Sequence, residues 1–153
     1  MRLGWLVACA VVLAARLAAQ DSAFRALQER GKTAMGVDQY TSAHRFDPLP
    51  DGGRIVLVRD STDAAGVATI RAHLQHISRA FAVGEFAIPG FVHARAVPGT
   101  RVMAVKQNAI RYVFHPLPGG GEVRIVTRDA AAVRAVHEFL AFQRTDHRVG
   151  DRH

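Results

Sequence analysis

The chain has 153 residues, 49% of them apolar and 22% charged, with a formal charge of +7. A chain of this length folds as about one domain and buries roughly two-thirds of its unfolded surface, so its core requires neither a disulfide nor a metal. The composition excludes a disordered body, and with no basic run or aromatic stacking pattern, nucleic acid is not an expected partner.

Residues 1–20, MRLGWLVACAVVLAARLAAQ, place Arg2 before an apolar run from Leu3 to Ala15 and small residues at Ala18-Ala19. This is the layout of a secretory signal peptide, with cleavage expected after Ala19 or Gln20, and it predicts a periplasmic or secreted protein. One alternative is a retained membrane anchor, but a span needs about 20 apolar residues and Arg16 interrupts this run early. A lipoprotein signal at Leu6-Val7-Ala8-Cys9 is the other, with only eight residues ahead of the cysteine. Cleavage removes Cys9, the single cysteine, and with it any disulfide or thiolate chemistry. It also removes Arg2 and Arg16, which takes the charge from +7 to +5 and leaves a surface suited to anionic envelope partners. The membrane itself is a partner only if the leader is kept.

A short helix is expected around Ser22 to Ala34. Beyond it the chain repeats itself. FDPLPDGGRIVLV (residues 46–58) and FHPLPGGGEVRIV (114–126) lie 68 positions apart, and DAAGVATIRAHL from Asp63 matches DAAAVRAVHEFL from Asp129 at 66. Similar Pro-Gly turns would explain the first match but not the second. The pattern predicts a duplicated β-β-α module with units at about 42–83 and 110–147. Asp51-Gly52-Gly53 and Gly119-Gly120-Gly121 supply turn conformations, and the prolines before them belong at strand ends or sheet edges. Asp63 and Asp129 suit helix N-caps. Val67, Ile70, Leu74, Ile77 and Phe81 form one apolar stripe ended by Gly84. Val133, Val136 and Leu140 form its counterpart, extended by Gln143 and His147. Two such units build a four-stranded antiparallel sheet with both helices on one face, an α+β fold in a single domain over 21–153. Between them runs a loop-rich connector, Glu85 to Gln107, with a short helix near Thr100 to Gln107.

Eight histidines occur: His44, His73, His76, His93, His115, His137, His147 and His153. Imidazole is thus the one abundant group suited to metal binding or proton transfer. His73 and His76, three apart on a helix, can share an ion, although a solvated pair is the plainer reading. His44 lies two residues before Phe46, on the same strand face, which makes it a plausible neighbour of His73. His137-Glu138 opens like a zincin helix, but the second histidine would fall at Ala141, so that reading fails. Asp146 beside His147 could orient it, yet adjacent helical residues diverge by about 100°; a helix-end cation explains His147 more simply. His93 sits in the connector with nothing near it in sequence to complete a site, and His115 is expected to face solvent. PGGG at 118–121 lacks the Lys-Ser/Thr of a phosphate loop, and no Gly-x-Ser-x-Gly elbow or glycosidase carboxylate pair occurs.

The leading expectation is an envelope module that binds a divalent transition metal (zinc or copper) or a small anionic ligand. Its metal ligands would be His44, His73, His93 and His137, with His76, Asp146 and His147 as second choices. An interaction module without a small ligand is the alternative, to be recognised by an apolar patch on the free sheet face; a polar face with clustered histidines favours ligand binding. A third reading, an enzyme with a histidine general base, calls for a cleft holding His93 with a carboxylate in reach.

RGKTAMGVDQYTSAHRF (30–46), PDGG (50–53), IRAHLQHI (70–77), GEFAIPGFVH (84–93) and VHEFLAFQRTDHRVGD (136–151) together resemble a family of small exported bacterial proteins. The resemblance spans almost the whole chain after the leader and implies export; it implies no activity and no site residues. The family pattern has a His-His pair before the phenylalanine, where this chain has His44-Arg45. Such chains can carry an aspartate carbamoyltransferase label. This sequence does not support it: the Ser-Thr-Arg-Thr-Arg loop of that enzyme is missing and its two-domain active site cannot be built here.

Overall fold

A computed structural model describes residues 3–149, with the side chains of residues 3–15, 17 and 39 left aside. Arg2 and His153 lie outside the described residues. Helix α1 runs from Leu3 to Met35 without a break, longer than the expected 22–34 helix, because no glycine or proline occurs between Trp5 and Arg30. It stops where Gly36 turns to φ +74°. A 3₁₀ turn capped by the Asp38 carboxylate, which accepts from the Tyr40 N–H, feeds the first strand.

Strands β1 (Ser42–Leu49) and β2 (Gly52–Arg59) form the first hairpin, followed by α2 (Ala64–Ala82). Strands β3 (Ile110–Leu117) and β4 (Gly120–Thr127) form the second, followed by α5 (Ala130–Asp146). Both helices are N-capped by the predicted aspartates: Asp63 accepts from Gly66 N–H, and Asp129 from Ala131 and Ala132 N–H. All strands are antiparallel, in the order β1-β2-β4-β3. Pro48 and Pro116 sit on the two edge strands, where a missing N–H costs least.

The units meet at the centre of the sheet. Ile55 pairs with Val123, the residue 68 positions on, so each is the other's repeat counterpart and the pair marks an approximate two-fold axis through the sheet. The helices are exchanged across that axis: α2 packs on β3 and β4, α5 on β1 and β2. The counterpart contacts agree in detail. Arg71 of α2 donates to the Leu117 carbonyl at the end of β3, and His137, at the matching place on α5, meets the Leu49 carbonyl at the end of β1. Ile70, Leu74, Val136 and Leu140 fill the space between helices and sheet, beneath Val123 and Ile125.

The two-residue loops are Pro50-Asp51 and Pro118-Gly119; most of each glycine run lies in the strand that follows, not in the turn. Close approach is the reason. A Cβ on Gly120 would stand 2.2 Å from the Leu57 carbonyl oxygen, and one on Gly53 would stand 2.3 Å from Leu140 Cδ1. The connector holds more structure than expected. Besides α4 (Thr100–Val105) it contains α3 (Ala87–His93), closed by Ala94 at φ +51°.

The two units differ in their surroundings. Phe46 is buried and Phe114 only half-buried, although they hold equivalent places in the register. The face of the sheet away from the helices is charged: Arg54 pairs with Asp47 at 2.7 Å and approaches Glu122, with Arg45, Arg124 and His115 beside them. Among the described residues no helix is long and apolar enough to cross a membrane.

Replacing Gly120 by alanine forces the new methyl against the Leu57 backbone, which cannot yield without opening β2–β4. Urea unfolding of Gly120→Ala should show a loss of about 2 kcal/mol or more; an unchanged midpoint would contradict the pairing.

Candidate functional site

Where β1, α2, α3 and the end of α5 meet, there is a cavity of about 80 Å³. Most of its wall is apolar, contributed by Phe46, Leu57, Leu74, Ile77, Phe81 and Phe139. The polar part consists of His44, His73, His93, His147 and Gln143. Three of the four expected ligands, and one second choice, therefore converge. His137 does not: it faces away and ties α5 to the first hairpin. His76 is exposed on α2, and His115 on β3.

His44 reaches the cavity because it shares the inner face of β1 with Phe46. Its ring stacks on His147, with centroids 5.5 Å apart and planes 11° apart, and its Nε2 lies 3.4 Å from Met35 Sδ. His147 is the C-cap of α5 and is buried. His93, at the last turn of α3, is set edge-on between Phe142 and His147. Its side chain is 1% exposed.

The partners of His93 come from α5, about 50 residues away in sequence, which is why the connector alone gave no sign of them. Its Nδ1–H donates to Asp146 Oδ2 over 2.5 Å, and its Nε2 lies 2.9 Å from Gln143 Oε1. Asp146 thus orients His93, not the adjacent His147. The other Asp146 oxygen accepts from Arg95 at 2.6 Å. A ring that donates from both nitrogens is an imidazolium, paired with Asp146. A neutral ring needs a donor at Nε2, which Gln143 supplies by turning its amide over.

Two of the imidazoles are held neutral. Burial lowers His73 to about 4, helped by the nearby His76 and opposed by a hydrogen bond to the Ala34 backbone. Burial likewise lowers His147 to about 4, with the His93 charge adding to the effect and Asp146 opposing it. Among the described residues, no group of three His, Cys, Asp or Glu side chains is arranged to hold a metal ion. Parallel rings such as those of His44 and His147 do not aim their in-plane lone pairs at one point.

The repeat offers a comparison for this cavity. In the other unit the position of His44 is held by Tyr112, that of His147 by Phe81 and that of Gln143 by Ile77. Tyr112 and Phe81 meet edge-on at 5.7 Å and extend, through Phe86 and Phe139, into a packed aromatic cluster. Core aromatic and aliphatic places are thus occupied by two imidazoles and an amide in one copy only. Gln143 and His147 continuing an apolar stripe was the sequence signal for this; the part played by Asp146 had none.

Comparison with known proteins returns no match: no family model, no curated protein and no solved structure.

Because His73 and His147 ionise near 6.5 when unfolded and near 4 when folded, unfolding takes up protons between those values. Their contribution is complete above pH 6.5 and is lost as pH falls toward 4, at up to about 1.4 kcal/mol per unit for each ring. Denaturant unfolding at pH 7 and pH 5 should differ by about 3 kcal/mol. His147→Phe, which installs the residue of the other unit, should remove about half of that slope; an identical pH dependence in the variant would contradict the assignment.

Proposed function

We propose that the protein is an exported binding module whose histidine-lined cavity takes one small, uncharged molecule. The observation that carries this reading is the convergence of four imidazoles and an amide on a single cavity, three of them (His44, His147 and Gln143) at places that the sister repeat fills with Tyr112, Phe81 and Ile77. Packing alone does not favour such a set, because buried polar groups stabilise a fold only when satisfied. The composition of the leader supports export.

The walls define the ligand. A charged molecule would lose its hydration among Phe46, Leu57, Leu74 and Ile77. A neutral one carrying a single hydroxyl, carbonyl or amide would find donors and acceptors at the uncharged His73 and His147 rings and at the Gln143 amide. The volume, about 80 Å³, is roughly half that of an engineered cavity of ~150 Å³ that admits benzene, so only a few non-hydrogen atoms fit. The ring geometry favours such a molecule over zinc or copper. The charged outer face of the sheet gives little support to a docking partner there.

General-base catalysis is a second reading, favoured by the His93–Asp146 contact at 2.5 Å. With Nδ1 fixed by the carboxylate, proton uptake at Nε2 requires the ligand or a water to displace the Gln143 amide, which lies 2.9 Å from that nitrogen. No serine, threonine or cysteine lines the cavity, so the proton would come from water or from the ligand itself.

Xenon and 1-propanol serve as probes of the cavity, followed by NMR shifts of the Leu74, Ile77 and histidine signals. Saturable shifts are expected, and they should vanish in His44→Tyr/His147→Phe, which copies the packed unit. Absence of any shift would overturn the reading. Tight stoichiometric binding of zinc or copper that requires His44 and His147 would replace it with a metal site.

A further inference from the structure

The His93–Asp146 pair has a second side. It also forms part of the wall of an open groove of about 710 Å³, bounded by α1 from Gln20 to Arg30, the turn after α3, and the end of α5. The floor is apolar, with Phe24, Leu27 and small residues of α1. Around it stand Arg30, Arg95 and Arg148, against one lining carboxylate, Asp146.

That carboxylate is already engaged on both oxygens, by Arg95 and by His93. With Asp21, which pairs with Arg148 at 3.4 Å from just outside the lining, two carboxylates stand against three arginines. The arginines also keep most of their donors. Arg30 uses its Nε on the Val92 carbonyl at 2.8 Å, which anchors the stem and frees the two terminal nitrogens for another acceptor. The Arg95 guanidinium lies over the Phe142 ring at 4.6 Å, and that of Arg148 over Phe24 at 4.3 Å. A guanidinium carried over an aromatic ring keeps N–H donors available to a carboxylate or phosphate. Arg148 reaches Asp21 Oδ1 and the Gln20 carbonyl only at 3.4–3.5 Å, the long limit for a hydrogen bond.

We propose that this groove binds a small organic anion, its carboxylate or phosphate held among Arg30, Arg95 and Arg148 and its apolar body laid on Phe24 and Leu27. The site differs in chemistry from the cavity: that one is lined mainly by apolar side chains and imidazoles, whereas part-exposed arginines stand around this one. Only His93 is shared, one edge toward each. The same head-group chemistry occurs in a free metabolite-sized anion and in an anionic lipid.

Phenyl phosphate and benzoate are the probes, titrated into the full chain at low salt and followed by NMR or calorimetry. Both should bind saturably, and benzyl alcohol, their neutral analogue, should not. Arg148→Gln and Arg30→Gln, checked for folding by circular dichroism, should each weaken phenyl phosphate binding by about tenfold, and added sodium chloride should weaken it in the parent. The cavity variant His44→Tyr/His147→Phe should bind these anions as the parent does, so the groove stands or falls apart from the cavity. Phosphatidylglycerol vesicles separate the two sources. Retention on them, but not on phosphatidylcholine, that is lost with the same arginine variants assigns the head group to lipid; phenyl phosphate binding without such retention assigns it to a free anion. No saturable binding of any of these probes, or equal binding by the parent and both arginine variants, would overturn the proposal.

Discussion

The pairing of β2 with β4 is the constraint on which the rest of the molecule depends. It joins two hairpins, each too small to bury an apolar face alone, into one sheet, and it does so at Ile55 and Val123, equivalent residues of the two repeats. With the centre of the sheet set in this way, each helix lies over the opposite hairpin, and Arg71 and His137 secure matching hairpin ends. Glycine at the start of β2 and β4 is a condition of the arrangement, since any side chain on Gly52 or Gly120 would meet a facing carbonyl. The symmetry is therefore held by backbone proximity as much as by apolar burial.

A duplicated fold starts with two equivalent core regions, and the functional interest lies in how they have diverged. In one, aromatic rings from β3, α2 and α5 meet edge-on. The other has exchanged rings and an aliphatic chain for His44, His147 and Gln143, and gains His93 from a connector helix with no counterpart in the second unit. Keeping imidazoles uncharged in such surroundings costs stability on the acid side of neutrality, as the lowering of His73 and His147 to about 4 implies. Protein cores rarely carry such a burden without a use for it.

Beyond this chamber the chain places charge where charge can be hydrated. Asp146 sits at the boundary, holding a buried imidazole with one oxygen and an exposed arginine with the other. The boundary is thin: His93 lines both the histidine-lined cavity and the arginine-lined groove.

Local rules were enough for much of this. The repeat, the N-caps at Asp63 and Asp129, the apolar stripes and the edge positions of Pro48 and Pro116 follow from period, turn chemistry and the missing proline N–H, all of which act within a few residues. His44 on the inner face and Gln143 and His147 on the stripe were legible for the same reason. The partnership of His93 with Asp146 and Gln143 was not, and neither was the separation of His137 from the other histidines. Those depend on which helix covers which hairpin and on where α3 rests. Such contacts join residues about 50 positions apart, and their energies come from burial and hydrogen bonding in the assembled core, which no local pattern encodes.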